Sequence, residues 1–97
     1  MIRHIALFRW REGTTEAEVE ALEHGLSELP YQVQGLADYR YGSDAGINED
    51  TWDFAVVADL ADEEAFAAYA AHPAHRRVID ELIVPIRAER ASIQYLI

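Results

Sequence analysis

The chain has 97 residues, with 18 acidic against 8 basic side chains, a net charge of −10 and a pI near 4.6. That length makes one domain, residues 1–97, with a single modest core, and a hydrophobic share of 51% excludes a disordered chain. No basic stripe is present to follow phosphates, which argues against nucleic acid and anionic membranes as partners, and the absence of cysteine excludes disulfide and thiolate chemistry and suits a cytoplasmic protein.

The opening MIRHIALFRWR lacks both a long apolar segment and a small-residue cleavage site, so it does not read as a signal peptide. No apolar run is long enough to cross a bilayer. Residues 2–10 alternate instead: Ile2, His4, Ala6, Phe8 and Trp10 fall on one face of a strand, and Arg3, Ile5, Leu7 and Arg9 on the other. Gly13 ends it. Thr15 and Glu18 have the spacing of a capping box, and Val19, Leu22, Leu26 and Leu29 then recur at helical spacing up to Pro30, which is expected to close the helix. His24 lies off that stripe and is expected to face solvent.

Residues 36–41 read as a second strand, with Ala37, Tyr39 and Tyr41 on one face. Residues 51–60 read as a third, with Trp52, Phe54, Val56, Ala58 and Leu60 against Asp53, Ala55, Val57 and Asp59. Asp62, Glu63 and Glu64 suit the start of a helix, where negative charge meets the positive end of the dipole. Phe66, Tyr69 and Ala70 form its inner stripe. Pro73 forces His72 out of the helical region and favours a new helix start, so HPAH is a joint between two helices. Val78, Ile79, Leu82 and Ile83 make the second stripe, and Pro85 breaks or restarts it. Residues 90–97 form a last strand, with Ala91, Ile93, Tyr95 and Ile97 on one face.

The order is βαββα(α)β. It predicts a ferredoxin-like α+β unit, a four-stranded antiparallel sheet with helices on one side. Helices cover only one sheet face, yet Ile5, Leu7, Ala55 and Val57 are apolar on the other. At roughly 25 cal/mol per Å² such a face wet in a monomer forgoes several kcal/mol. A homodimer pairing sheet against sheet is the expected solution.

These residues resemble the stress-responsive A/B barrel (Dabb) domain family nearly from end to end. The resemblance is carried by IRHIALFRWREGTTEAEVEAL, QGLADYRYG, DFAVVADLADEEAFAAY and, above all, YAAHPAHRRVI. It implies a dimeric α+β barrel with a pocket between the sheet and the helices of each subunit. One plant member, olivetolic acid cyclase, closes a linear polyketide thioester by an aldol reaction and keeps the carboxylate. Its catalytic histidine matches His75, the tyrosine that assists it matches Tyr69, and its strand-1 pocket histidine matches His4. Two positions depart from it. Bulky pocket aromatics on the first helix correspond to Leu22 and Leu26 here, and an aspartate before a tyrosine near the end of the last strand corresponds to Gln94.

Three readings follow. The first is a homodimer that binds a small, mainly apolar or polyketide-like molecule in a pocket lined by His4, Phe8, Leu22, Leu26, Tyr69 and His75. The second is a cofactor-independent lyase or cyclase with His75 as base and Tyr69 as partner. A helix N-terminus disfavours charge on His75 and keeps it neutral near pH 7, and the Tyr69 hydroxyl can polarise a carbonyl or hold the histidine tautomer. The third and most distant is a monooxygenase-like protein, for which the sequence offers no haem-ligand signal. Against all three stands a plainer role, in which His75 packs the helix joint and Tyr69 is core. A His72/His75 metal pair is not expected, because Pro73 interrupts the helix and no local ligand completes a tetrahedral set. No cofactor is expected either. The acidic cluster at Asp59, Asp62, Glu63 and Glu64 reads as a solvated loop and helix start.

Overall fold

A computed structural model describes residues 1–97. The elements run β1 (Ile2–Trp10), α1 (Glu16–Gln32), β2 (Leu36–Ser43), β3 (Phe54–Leu60), α2 (Glu63–Ala71), α3 (Pro73–Val78), a π-helical turn (Ile79–Ile83) and β4 (Arg87–Leu96). The strands form one antiparallel sheet in the order β2-β3-β1-β4, the ferredoxin-like arrangement that the sequence predicts.

Alternation sets the sheet's two faces, and register makes them coincide across strands. Ile2, His4, Ala6 and Phe8 are all buried, and they stand opposite Leu60, Ala58, Val56 and Phe54, which are buried too. This face meets the helices. On β4, Arg90, Ser92 and Gln94 share it, being paired with Phe8, Ala6 and His4. The helix-distal face carries Ile5, Leu7, Ala55, Val57 and Ile93, none of them buried. Ile93 is 60% exposed and Tyr95 43%, so the chain by itself leaves an apolar sheet face open to water. A polar corner borders that face. Arg3 donates two hydrogen bonds to the Asp59 carboxylate, at 2.8 and 2.9 Å, and holds that carboxyl below the usual aspartate range. Asp59 is therefore an ion-pair partner on the sheet, while Asp62 caps α2 by accepting from the Ala65 N–H. The two do not form one cation site.

The helices start as expected. Thr15 and Glu18 make both halves of the capping box, and Leu22, Leu26 and Leu29 are buried below. His24 faces solvent. Pro30 does not end α1, which continues to Gln32. A proline this close to the C-terminus removes only the bond to the Leu26 carbonyl, and the next residues still donate backward. Burial of Leu29 and Val33 holds the last turn on the sheet.

β4 begins at Arg87, three residues earlier than expected, and ends at Leu96. Two further strand expectations shift for local reasons. A register irregularity between Leu36 and Asp38 puts Leu36 opposite Leu60 and leaves Ala37 unpaired and exposed. Tyr39 and Tyr41 keep the helix side, facing Ala58 and Val56. β3 begins at Phe54 because Asp53 serves as a clasp. Its N–H donates to the Phe8 carbonyl at 2.9 Å, and its carboxylate accepts from the Trp10 N–H at 2.8 Å. Trp52 lies outside the ladder, with its ring 4.5 Å from the Arg9 guanidinium carbon. Trp10 packs on Phe8 and Phe54, at ring distances of 5.6 and 5.5 Å.

Gly25 allows α1 to approach the segment after α3. A side-chain carbon there would come within 2.7 Å of a Leu82 methyl. The Leu82 segment is the π turn, closed by the Val84 N–H donating to the Ile79 carbonyl at 2.8 Å. No helix is long and apolar enough to cross a membrane.

Candidate functional site

The helix joint at HPAH is built from its own side chains. His72 has extended backbone angles, φ −62° and ψ 134°, and is both the last residue beyond α2 and the N-cap of α3. Its Nδ1 accepts the Ala74 N–H at 3.0 Å, and Pro73 occupies the first helical position, where no N–H is required. His75 follows in the first turn. Its Nδ1–H donates to the Ala70 carbonyl, one of the acceptors left open at the end of α2, at 3.2 Å. That bond assigns the tautomer. The Nε2 lone pair is left without a protein partner.

The His75 ring lies 4.1 Å from the Tyr69 ring at 35°. Tyr69 itself is 2% exposed, and its hydroxyl meets that of Tyr39 at 3.1 Å. Of the two roles read for the Tyr69 hydroxyl, holding the His75 tautomer is not made: the two rings meet at a tilt and the hydroxyl turns to Tyr39. The Ala70 carbonyl, and not the phenol, fixes the imidazole. Burial raises both phenol pKa values above the ordinary range, so both hydroxyls stay protonated at neutral pH.

His4 reaches the same region from the sheet. Gln94, directly opposite on β4, donates from Nε2 to His4 Nδ1 at 2.7 Å. A neutral His4 ring then carries its proton on Nε2. Its ring lies 5.0 Å from that of Phe66. Burial, the Arg90 charge and His75 lower the His4 pKa to about 4. His75 is also lowered, first by burial and then by the charges of Arg76, Arg90 and His72. A lowered pKa favours the neutral ring near pH 7, and burial is its first cause.

These groups converge on a cavity of about 400 Å³ between the sheet and the helices, with 12 of its 18 lining residues hydrophobic. His4, Phe8, Leu26, Tyr69 and His75 all line it. Leu22 does not, which corrects the expectation drawn from its helical stripe. It has no exposed surface and sits a turn away from Leu26, inside the closed part of the core. No three histidine, aspartate or glutamate side chains converge as a metal cluster.

The chain matches the family described as Stress responsive A/B Barrel Domain, Dabb, over residues 2–97. It belongs to the Dabb family. A stress-response A/B barrel domain-containing protein of Arabidopsis thaliana is 24% identical over 96 residues, which make up 99% of this chain but 36% of that relative's length. This Dabb chain thus spans about a third of that plant protein. Among solved structures, a dimeric ferredoxin-like protein of unknown function from Thermobifida fusca is 44% identical, covers 99% of this chain and 90% of its own, and superposes with a TM-score of 0.92. A hydroxynitrile lyase from Passiflora edulis superposes at 0.85 over 99% of this chain and 92% of its own. Its identity is 16%, so that likeness concerns the fold alone.

Within the Dabb fold, the residues singled out from sequence are brought together except for Leu22. Tyr39 was missed as a site residue. Its face on β2 was legible, but nothing local indicates that Tyr69 descends onto it from α2. Arg87 and Arg90 were also missed. The polar series Arg90, Ser92 and Gln94 on one face of β4 was the available signal.

Proposed function

We propose that this Dabb protein is a cytoplasmic homodimer that binds a small, mainly apolar molecule in the cavity between its sheet and helices. The observation that carries this reading is the cavity itself, about 400 Å³, lined mainly by apolar side chains and supplied with a few polar groups from His4, Tyr39, Tyr69 and His75. Ligand sites commonly have that composition and a volume of about 300–1,000 Å³. The homodimer is supported by the open face around Ile93 and Val57, and by the dimeric Thermobifida fusca relative. Native mass spectrometry of protein purified from its producing cell tests the binding reading. A retained small molecule that is displaced by an apolar probe is expected. An empty protein that binds no apolar probe would refute it.

A lyase or cyclase reading is favoured by the paired tautomers. His75 offers an unpartnered Nε2 to accept a proton, while His4 Nε2–H and the Tyr39–Tyr69 hydroxyls offer hydrogen bonds to a carbonyl or leaving oxygen. A base and donors on one cavity suit proton abstraction beside a carbonyl, or cleavage of a hydroxylated carbon with proton return. The Passiflora edulis hydroxynitrile lyase shows that this fold can carry lyase chemistry. Substrate-panel turnover by the unaltered protein, lost in His75→Ala, is the test. Equal turnover in the two proteins would exclude His75 as base.

A further inference from the structure

The cavity's mouth has a charge pattern that an apolar ligand alone does not explain. Of eight basic residues in the chain, all arginine, three line this one cavity: Arg76, Arg87 and Arg90. One acid, Asp80, lines it with them, in a protein holding 18 acids. Arg76 has Asp80 as an exposed ion-pair partner at 3.7 Å. Arg87 and Arg90 have no carboxylate within ion-pair distance, and the side-chain partner of Arg90 is the Ser92 hydroxyl at 3.4 Å. Two unpaired guanidinium groups beside a cavity, on a surface rich in carboxylates, leave an electrostatic vacancy for an anion.

Topology directs that vacancy inward. β4 is an edge strand, and Arg90 stands opposite Phe8 on the helix-side face. It lies on the face away from Val57 and Ile93, so sheet-to-sheet pairing leaves it free. The Arg90 charge acts on His4, Tyr69 and His75, the three residues at the cavity's interior. We infer that the ligand is an apolar molecule ending in an oxyanion, with a carboxylate as the simplest case. Its apolar part lies against Phe8, Leu26 and Val56, and its anionic end sits at Arg87 and Arg90 at the mouth. Guanidinium donors fit a carboxylate with two parallel hydrogen bonds. This inference rests on the binding reading above and narrows it to a substrate class.

Calorimetric titration with octanoate and with 1-octanol, at low and at moderate salt, tests it. The two probes share an apolar chain and differ in the charged end. Octanoate is expected to bind about ten-fold more tightly than octanol, as a charge-assisted contact implies, and salt should narrow that preference. Arg87→Gln/Arg90→Gln should erase the preference while octanol affinity and the melting temperature stay as they were. Equal affinities in the unaltered protein, or a preference that survives the double substitution, would overturn the anion assignment and leave the apolar-binding reading standing. Failure of both probes to bind would overturn both.

Discussion

Gln94 and His4 lie 90 residues apart in the chain and 2.7 Å apart in the fold, the amide donating to the imidazole Nδ1 across the β1–β4 ladder. A carboxylate at that position would favour the charged imidazolium, whereas the amide donor opposes it. Gln94→Glu is therefore expected to raise the His4 pKa from about 4 toward the ordinary histidine value of about 6.5. NMR titration of the imidazole reads it, and an unchanged pKa would contradict the pairing.

The same histidine makes stability depend on pH. Its folded pKa lies near 4, below the unfolded value of about 6.5, so the unfolded chain binds the extra proton first. Its contribution is fully present above about pH 6.5 and is lost as pH falls toward 4. The loss is on the order of 2 kcal/mol once solvent screening at a partly open site is discounted. His75, also lowered, acts in the same direction. Urea unfolding from pH 7 to 4 should show this decline, and His4→Gln should flatten it. A slope identical in the two proteins would place the effect elsewhere.

Tyr39 and Tyr69 share one hydrogen bond between their hydroxyls, one donating and the other left with a free O–H. Tyr39→Phe leaves the Tyr69 hydroxyl unpaired and should cost about 1–3 kcal/mol. Removing both hydroxyls should cost less than the sum of the single losses. A double-mutant cycle in chemical denaturation measures the coupling, and strict additivity would mean that the pair contributes nothing.

His75→Ala removes the bond to the Ala70 carbonyl and the tilted ring contact with Tyr69. A loss of about 1–2 kcal/mol in stability is expected, with fold and dimer retained. Circular dichroism and sedimentation velocity check this. Outright unfolding would give the histidine a mainly structural role at the joint.

Val57 lies on the helix-distal face opposite Ile5 and Arg40. Val57→Asp sets a charge in the middle of the surface proposed to pair and should yield monomer or aggregate by sedimentation velocity. A fully stable dimer would rule out sheet-to-sheet association.

Local periodicity by itself determined the order of elements, the two faces of β1 and β3, the capping box at Thr15 and the joint at HPAH. Each follows from backbone sterics or from side-chain alternation acting over a few residues. The misplaced boundaries at Pro30 and Trp52 and the misassigned face of Ala37 arose where the local preference was overruled: by burial of Leu29, the Asp53 clasp and the β2 irregularity. The site divides in the same way. His4, Tyr69 and His75 were legible as residues, and family resemblance supplied their company. Their partners were not legible, because hydrogen bonds depend on positions within a few tenths of an ångström of one another. Only the packed chain brings Gln94 to His4, Tyr39 to Tyr69 and the Ala70 carbonyl to His75. Only the sheet order leaves Arg90 facing the cavity without a counter-charge.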